Sequence, residues 1–165
     1  MKESKDIIAL VKRRFSTVII SSDSSSDIPS IVISSNSVYE VMEFLKNNPE
    51  TDFNFLTDLC GIHYPDSDLP LGIVYHLHNL VENRRLRIKT FVPLAKPEVV
   101  TITPLFSAAN WMERETYDFY GIIFTGHPNL KRILNVEYLD FFPMRKEYPL
   151  EDPTREDKDN RFFGR

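Results

Sequence analysis

The sequence predicts an α+β fold, a two-layer sandwich on a mixed β-sheet followed by an extended C-terminal tail. Three observations point there. Strand-sized β-branched runs follow one another along the chain instead of alternating singly with helices. Segments of helical period stand before, between and after those runs. Beyond Asp140 the period disappears, and Pro143, Pro149 and Pro153 lie among closely alternating charges. At 165 residues the chain suits one hydrophobic core. The expected organisation is a domain over 1–140 and a partner-binding tail over 141–165.

Ile7, Ile8, Leu10, Val11 and Phe15 recur at roughly helical spacing, which predicts an amphipathic helix over Asp6–Phe15. Thr17–Ile20 and Ile28–Ile33 are short apolar runs that read as strands. Between them Ser21–Asp27 reads as a turn without glycine, so the two-residue hairpin signal is not met. Asn36 or Ser37 is placed to cap a second helix, with Val38, Val41, Met42 and Leu45 on one face and Asn47-Asn48-Pro49 as its stop. Phe53–Leu59, Leu71–Leu77 and Arg85–Val92 are three further strands. In the last, Leu86, Ile88 and Val92 alternate with Arg85, Arg87 and Lys89, giving one core-seeking face and one basic face. Pro93, Pro97 and Pro104 make the following stretch an extended connection. A third helix is expected over Phe106–Tyr120, with Ser107 as N-cap and Gly121 as its end. Ala108, Met112, Glu115 or Thr116, and Phe119 fall on one side of it.

A formal net charge of −4 and ordinary apolar and charged fractions describe a globular domain. Mild acidity speaks against an electrostatic nucleic-acid binder, which carries a basic face or a high pI. No apolar run approaches the ~18–20 residues that span a bilayer. The charged start (Lys2, Glu3, Lys5, Asp6) lacks the apolar core of a signal peptide. The expectation is a protein that reaches a membrane only through partners. Cys60 is the single cysteine, so no intramolecular disulfide can form, and an iron–sulfur cluster usually needs four Cys ligands. Neither a G-x-G-x-x-G nor a Walker A loop is present.

The densest constellation is Trp111–Gly121, where Glu113, Arg114, Glu115 and Asp118 stand among aromatics. Acids in the second half of a helix lie near its negative end, at a cost of a few tenths to about 1 kcal/mol each. Arg114 before Asp118 is also the weaker order for an i,i+4 pair. Such a helix is expected to pair its acids with cations outside itself, and His127, Lys131 and Arg132 follow just downstream. The plain alternative is a solvated charged face. The aromatic content favours partial burial, where ion pairs fix geometry more than they add stability.

Glu113-Arg114-Glu115, two residues, Asp118-Phe119-Tyr120, six residues, His127, three residues, Lys131, then Ile133-Leu134 resembles a known family pattern. It is that of the thirty-kilodalton (C) subunit family of respiratory complex I, an NADH:quinone oxidoreductase. Leu56-Thr57-Asp58-Leu59 before Tyr64-Pro65, the strand Arg85–Lys89, and Phe142–Leu150 resemble the same family. The resemblance covers about Phe53 to Leu150. It implies a peripheral-arm subunit beside the forty-nine-kilodalton (D) subunit, near the module that hands electrons to quinone. It also implies a chain without cofactors of its own, with FMN and iron–sulfur clusters on partner subunits. Catalytic residues are then expected elsewhere. Glu113, Arg114, Glu115, Asp118, His127, Lys131 and Arg132 would form the family's charged cluster, with structural and interface roles. The tail, through Pro143, Arg145, Lys146, Tyr148 and Pro149, would lie across a neighbour, helped by Phe141, Phe142, Phe162 and Phe163. The implied location is peripheral, on the cytoplasmic face of the cell membrane or an organelle's equivalent.

Other readings compete. An equivalent subunit of a related membrane-bound hydrogenase, or of a complex using another electron donor, would look the same, because this chain is expected to contact no donor. His76-x-His78 on a strand puts two imidazoles on one face and could begin a metal site. No acid or cysteine follows at matching spacing, so two polar residues on a strand face is the favoured reading. Cys60-x-x-His63 would need two more ligands from afar, and a buried inert cysteine is commoner than a catalytic one. The basic face of Arg85, Arg87 and Lys89 lacks the aromatic pattern of an RNA-binding sheet. It suits an acidic partner protein, with plain solvated surface as the alternative.

Overall fold

Alternation along the long strands sets the layering. The computed structural model describes residues 4–148. Its elements are α1 (Ser4–Arg14), β1 (Ile19–Asp23), β2 (Ser30–Ile33), a 3-10 turn (Ser35–Ser37), α2 (Val38–Asn47), β3 (Phe55–His63), β4 (Leu71–Asn79), β5 (Arg84–Val92), β6 (Glu98–Val100), α3 (Ala109–Tyr120) and β7 (Ile123–Thr125). The first five strands form one sheet in the order β1-β2-β5-β4-β3. β2 and β5 run parallel and the other neighbours antiparallel, so the sheet is mixed, as expected.

Leu59, Tyr75, Ile88 and Ile31 line up across four strands, and all four are buried. A bulge between Leu56 and Asp58 keeps both Leu56 and Leu59 on that same face. Against it pack Ile7, Val11 and Phe15 of the first helix region and Val38, Val41, Met42 and Leu45 of α2, in one continuous core. Each such side chain contributes roughly 1.5–3 kcal/mol on burial. The helical spacings of the first two helices identified these residues correctly.

The structure differs from expectation in several places. β1 runs on to Asp23, into the stretch read as a turn, and the reversal itself is held by the Asp23 carboxylate, which accepts the Ser25 N–H (2.8 Å) and hydroxyl (2.6 Å). β6 and β7, three residues each, form a separate parallel pair, and three residues are too few to show a period. Ser37 stands at the start of α2 but makes no capping bond, because the 3-10 turn leads the chain in. Finally, α3 starts at Ala109, and Ser107 does not cap it.

The buried side of α3 is also rotated from the expected one. Ala109, Glu113, Thr116 and Asp118 are buried, while Glu115 is exposed. The reason is that two of its acids turn inward, where hydrogen bonds receive them. α3 lies against the edge strand β3, and Gly61 permits the contact: a Cβ there would stand 2.4 Å from the Tyr120 ring. Gly121 ends the helix in the left-handed conformation (φ 74°), its N–H bonded to the Tyr117 carbonyl (2.8 Å).

Candidate functional site

Residues 126–148, which follow β7, form no helix or strand, yet they are tightly fastened. Asp118, fully buried on α3, is the fastening point. Its Oδ2 accepts three consecutive backbone N–H groups, from Ile133 (3.0 Å), Leu134 (2.8 Å) and Asn135 (2.9 Å). Its Oδ1 accepts Arg132 Nη1 (2.8 Å) and Asn135 Nδ2 (3.1 Å). Burial alone would raise the carboxyl's pKa. The N–H groups of Asn135 and Leu134, the Arg132 guanidinium and the Ile133 N–H outweigh it and hold the group ionised well below the usual carboxylate range.

Arg132 extends the fastening. Its Nη1 also reaches the Asp118 carbonyl (2.8 Å), and its Nη2 reaches the carbonyls of Leu139 (2.7 Å) and Phe141 (3.1 Å). Its guanidinium lies 5.1 Å from the Phe142 ring centroid, and that of Arg145 lies 4.6 Å from the same centroid. Phe142 is therefore held by two cations, in contacts worth roughly 0.5–2 kcal/mol each. Arg145 Nε donates to the Tyr120 carbonyl (2.8 Å), and Lys146 N–H to His63 Nδ1 (2.9 Å). Pro143 lies in this turn, and Tyr148 meets Phe141 with ring centroids 4.8 Å apart. Residues 141–148 thus pack on the body. Pro149, Phe162 and Phe163 lie outside the described residues.

The remaining members of the predicted cluster play separate parts. Arg114 pairs with no acid among the described residues; Nε and Nη2 donate to the carbonyls of Lys131 (3.2 Å) and Arg132 (3.1 Å). His127 Nε2 donates to the Asn110 carbonyl (3.1 Å) while Nδ1 accepts the Asn129 N–H (3.0 Å). Glu115 and the Lys131 side chain are exposed, without a partner among the described residues. Glu113 is fully buried, with no cation paired to it among the described residues. Its carboxyl bonds Thr101 Oγ1 (2.5 Å) and accepts the Ile102 N–H (2.8 Å). Burial pushes its pKa up to about 7, against the opposing pull of those two bonds. The expected exchange of acids with outside cations therefore occurs at Asp118 with Arg132 and at no other described acid of this helix. Thr101 and Asn135 were missed by the sequence reading, since neither belongs to a period or a charge cluster.

Other candidates are engaged locally. His76 Nε2 accepts Arg87 Nε (2.8 Å), and Asp58 lies 3.4 Å from its Nδ1. His78 bonds the Asn83 carboxamide (3.1 Å). Among the described residues no group of three or more His, Cys, Asp or Glu could hold a metal ion. Cys60 borders a recess of about 340 Å³ with Asp58, Glu115, Tyr120 and Met144. Burial and the Asp58 carboxylate push its thiol up to about 11, which works against nucleophilic use.

Residues 31–154 match the family described as respiratory-chain NADH dehydrogenase, 30 Kd subunit. The chain belongs to that family. Its relatives include the C subunit of the NADH-quinone oxidoreductase of Methylobacterium sp. strain 4-46, 41% identical over 120 residues, 73% of this chain and 55% of that one. A second is the mitochondrial NADH-ubiquinone oxidoreductase 30.4 kDa subunit of Neurospora crassa, 40% identical over 124 residues, 75% of this chain and 44% of that one. Among solved structures, a trypsin-resistant fragment of Nqo5 (residues 1–134) superposes with a TM-score of 0.65 at 30% identity, covering 76% of this chain and 98% of the fragment. The chain spans about half the length of the first curated relatives it matches. The fastened corner of Asp118 and Arg132 lies within the matched region of this NADH dehydrogenase family member.

Proposed function

We propose that the chain is a non-redox subunit in the peripheral arm of a membrane-associated NADH:quinone oxidoreductase. It acts by positioning neighbours around the quinone-reducing module, in support of proton-coupled electron transfer. One observation carries this reading. The segment fastened by Asp118 and Arg132 spends a buried ion pair and a chain of backbone bonds on irregular structure, and it displays apolar side chains outward. Tyr138 is 87% exposed and Leu134 65%, with Val136 and Met144 also exposed. A rigid, irregular surface rich in exposed apolar and aromatic residues suits a permanent protein interface.

The neighbour on this surface is the D subunit, and FMN and iron–sulfur clusters are held by partner subunits. Attachment to the cytoplasmic face of the cell membrane, or to an organelle's equivalent, runs through partners. No helix among the described residues is long and apolar enough to cross a membrane. On this chain the cluster residues and the tail residues Pro143, Arg145, Lys146, Tyr148 and Pro149 serve structure and contact, without a catalytic step.

The test is to purify a tagged copy from native membranes and to assay the recovered material. Recovery with a D-type partner and NADH-dependent quinone reduction supports the reading. A chain that purifies alone overturns it. Material that reduces quinone from another donor and ignores NADH would assign the chain to a donor-variant complex.

A further inference from the structure

We propose that the open face of the five-stranded sheet is a second docking surface, and that it takes an acidic face of a neighbouring protein subunit. This rests on the reading of the chain as part of a larger assembly, but it concerns a different surface from the α3 corner.

The register defines the surface. Asp58, His76 and Arg87 form one cross-strand row; His78 and Arg85 flank it on one side, and Cys60, Val74, Lys89 and Val32 on the other. These residues alternate with the buried row of Leu59, Tyr75 and Ile88, so they point away from α1 and α2, while Asp58 and Cys60 on the edge strand also border α3. Arg85 is exposed, and Arg87, Lys89, His76 and His78 are partly exposed. Along β5 the three cations stand on alternate residues and span about 13 Å.

What distinguishes this face is that its three strand cations carry no ion pair among the described residues. No carboxylate among the described residues lies within ion-pair reach of Arg85, Arg87 or Lys89. Asp58 on this face is turned to His76 Nδ1 at 3.4 Å, Asp23 beside it is held by Ser25, and Glu115 of α3 lies across the recess bordered by Cys60. Arg87 Nε donates to His76 Nε2, so the ring is neutral there and its proton lies on Nδ1, facing Asp58. Arg87 is thereby held in place with no carboxylate bound to its guanidinium among the described residues. It is a cation oriented in advance on a rigid strand, which suits recognition.

The neighbouring rows favour protein over nucleic acid. Ile62, Gly72 and Phe91 form the next row, and Tyr64 meets Phe91 with centroids 6.2 Å apart. Aromatic and Arg side chains together are the composition enriched in protein interfaces, whereas phosphate recognition asks for broader positive charge. Carboxylates four residues apart on a helix, about 6 Å along its axis, match cations about 6.7 Å apart on alternate strand residues.

The test compares tagged wild type with Arg85→Glu/Lys89→Glu, both purified with the assembly from native membranes. Neither substituted side chain contributes to the core, so the unfolding midpoint should be unchanged. Recovery of one neighbouring subunit should fall roughly tenfold or more. In the wild-type assembly, zero-length carbodiimide coupling should join Lys89 to an Asp or Glu of that subunit. Should the reversed variant fail to fold, Arg85→Gln/Lys89→Gln removes the charges without repulsion and should still lower recovery. Equal recovery of wild type and variant overturns the inference. So does coupling of Lys89 to the chain's own Glu151, Asp152, Glu156, Asp157 or Asp159. Binding of wild type, but not the variant, to anionic vesicles with unchanged subunit recovery would point to a membrane instead. If wild type itself recovers no partner, the subunit reading fails, which equal recovery would not imply.

Discussion

Replacing Asp118 by Asn keeps the shape of the side chain and removes its charge. The aspartate side chain accepts five hydrogen bonds, three from backbone N–H groups and two from Arg132 and Asn135. An asparagine offers one oxygen. Turned toward the backbone donors, it presents its NH₂ to Arg132; turned the other way, its NH₂ faces three N–H groups. Donors face donors in either case, and Arg132, with a side chain only 7% exposed, loses its counter-charge. Removing one member of a buried pair costs about 3–5 kcal/mol, out of a total stability on the order of 5–15 kcal/mol. For a domain of this size that lowers the melting temperature by about 6–20 °C.

The pH dependence carries a sign. The folded pKa of Asp118 is depressed below the ordinary value of 3.8, so its contribution is complete above that value. It is lost as pH falls through the folded pKa. The gap between wild type and Asp118→Asn should be constant near neutrality and should close in strong acid. Urea unfolding followed by far-ultraviolet circular dichroism is the assay, because Trp111 is already 60% exposed and reports unfolding weakly. A gap below about 1 kcal/mol at pH 7 would mean that Asp118 does not anchor the segment.

Glu113 predicts the opposite slope. Its folded pKa of about 7 lies above the ordinary 4.5, so its contribution is most favourable below 4.5 and declines until about pH 7. Glu113→Gln should therefore be relatively more stable at pH 8 than at pH 5, and a melting series across that range checks it. Gly121→Ala meets both a left-handed backbone and a Cβ 2.5 Å from the Phe142 ring. It should cost at least about 1–2 kcal/mol and expose residues 141–148 to limited proteolysis; an unchanged cleavage pattern would count against the packing described. Cys60, with its thiol near 11 against an ordinary 9.0, should alkylate at pH 8 roughly a hundredfold more slowly than an unperturbed thiol of that kind. Labelling as fast as in the urea-unfolded chain would contradict that.

The sheet, the first two helices and the end of α3 were legible because each rests on a local rule. Val38, Val41, Met42 and Leu45 mark a face by their spacing, Leu86 and Ile88 by alternation, and Gly121 by the left-handed turn that follows a helix. What escaped were features made by contacts between distant residues. The inward turn of Glu113 depends on Thr101 and Ile102, and the receipt of Asp118 depends on three N–H groups after Arg132. No period signals either. The same holds for the short β6–β7 pair, whose partners lie on opposite sides of α3 in the chain. The charge cluster was thus recognisable as a group of residues, while its division into one buried pair, one neutralisable carboxyl and one arginine on carbonyls was not. The packing also shifts where a truncation is informative. Arg132 bonds the Phe141 carbonyl and two cations hold Phe142, so a cut after Tyr148 spares the corner that a cut after Asp140 would open.

Affinity purification of the tagged full-length chain from native membranes, followed by an NADH:quinone reductase assay, tests the central claim most directly. A D-type partner and NADH-dependent quinone reduction are expected with wild type, and sharply reduced amounts of both with Asp118→Asn. A wild-type chain recovered alone, or in material without NADH-dependent quinone reduction, would contradict it.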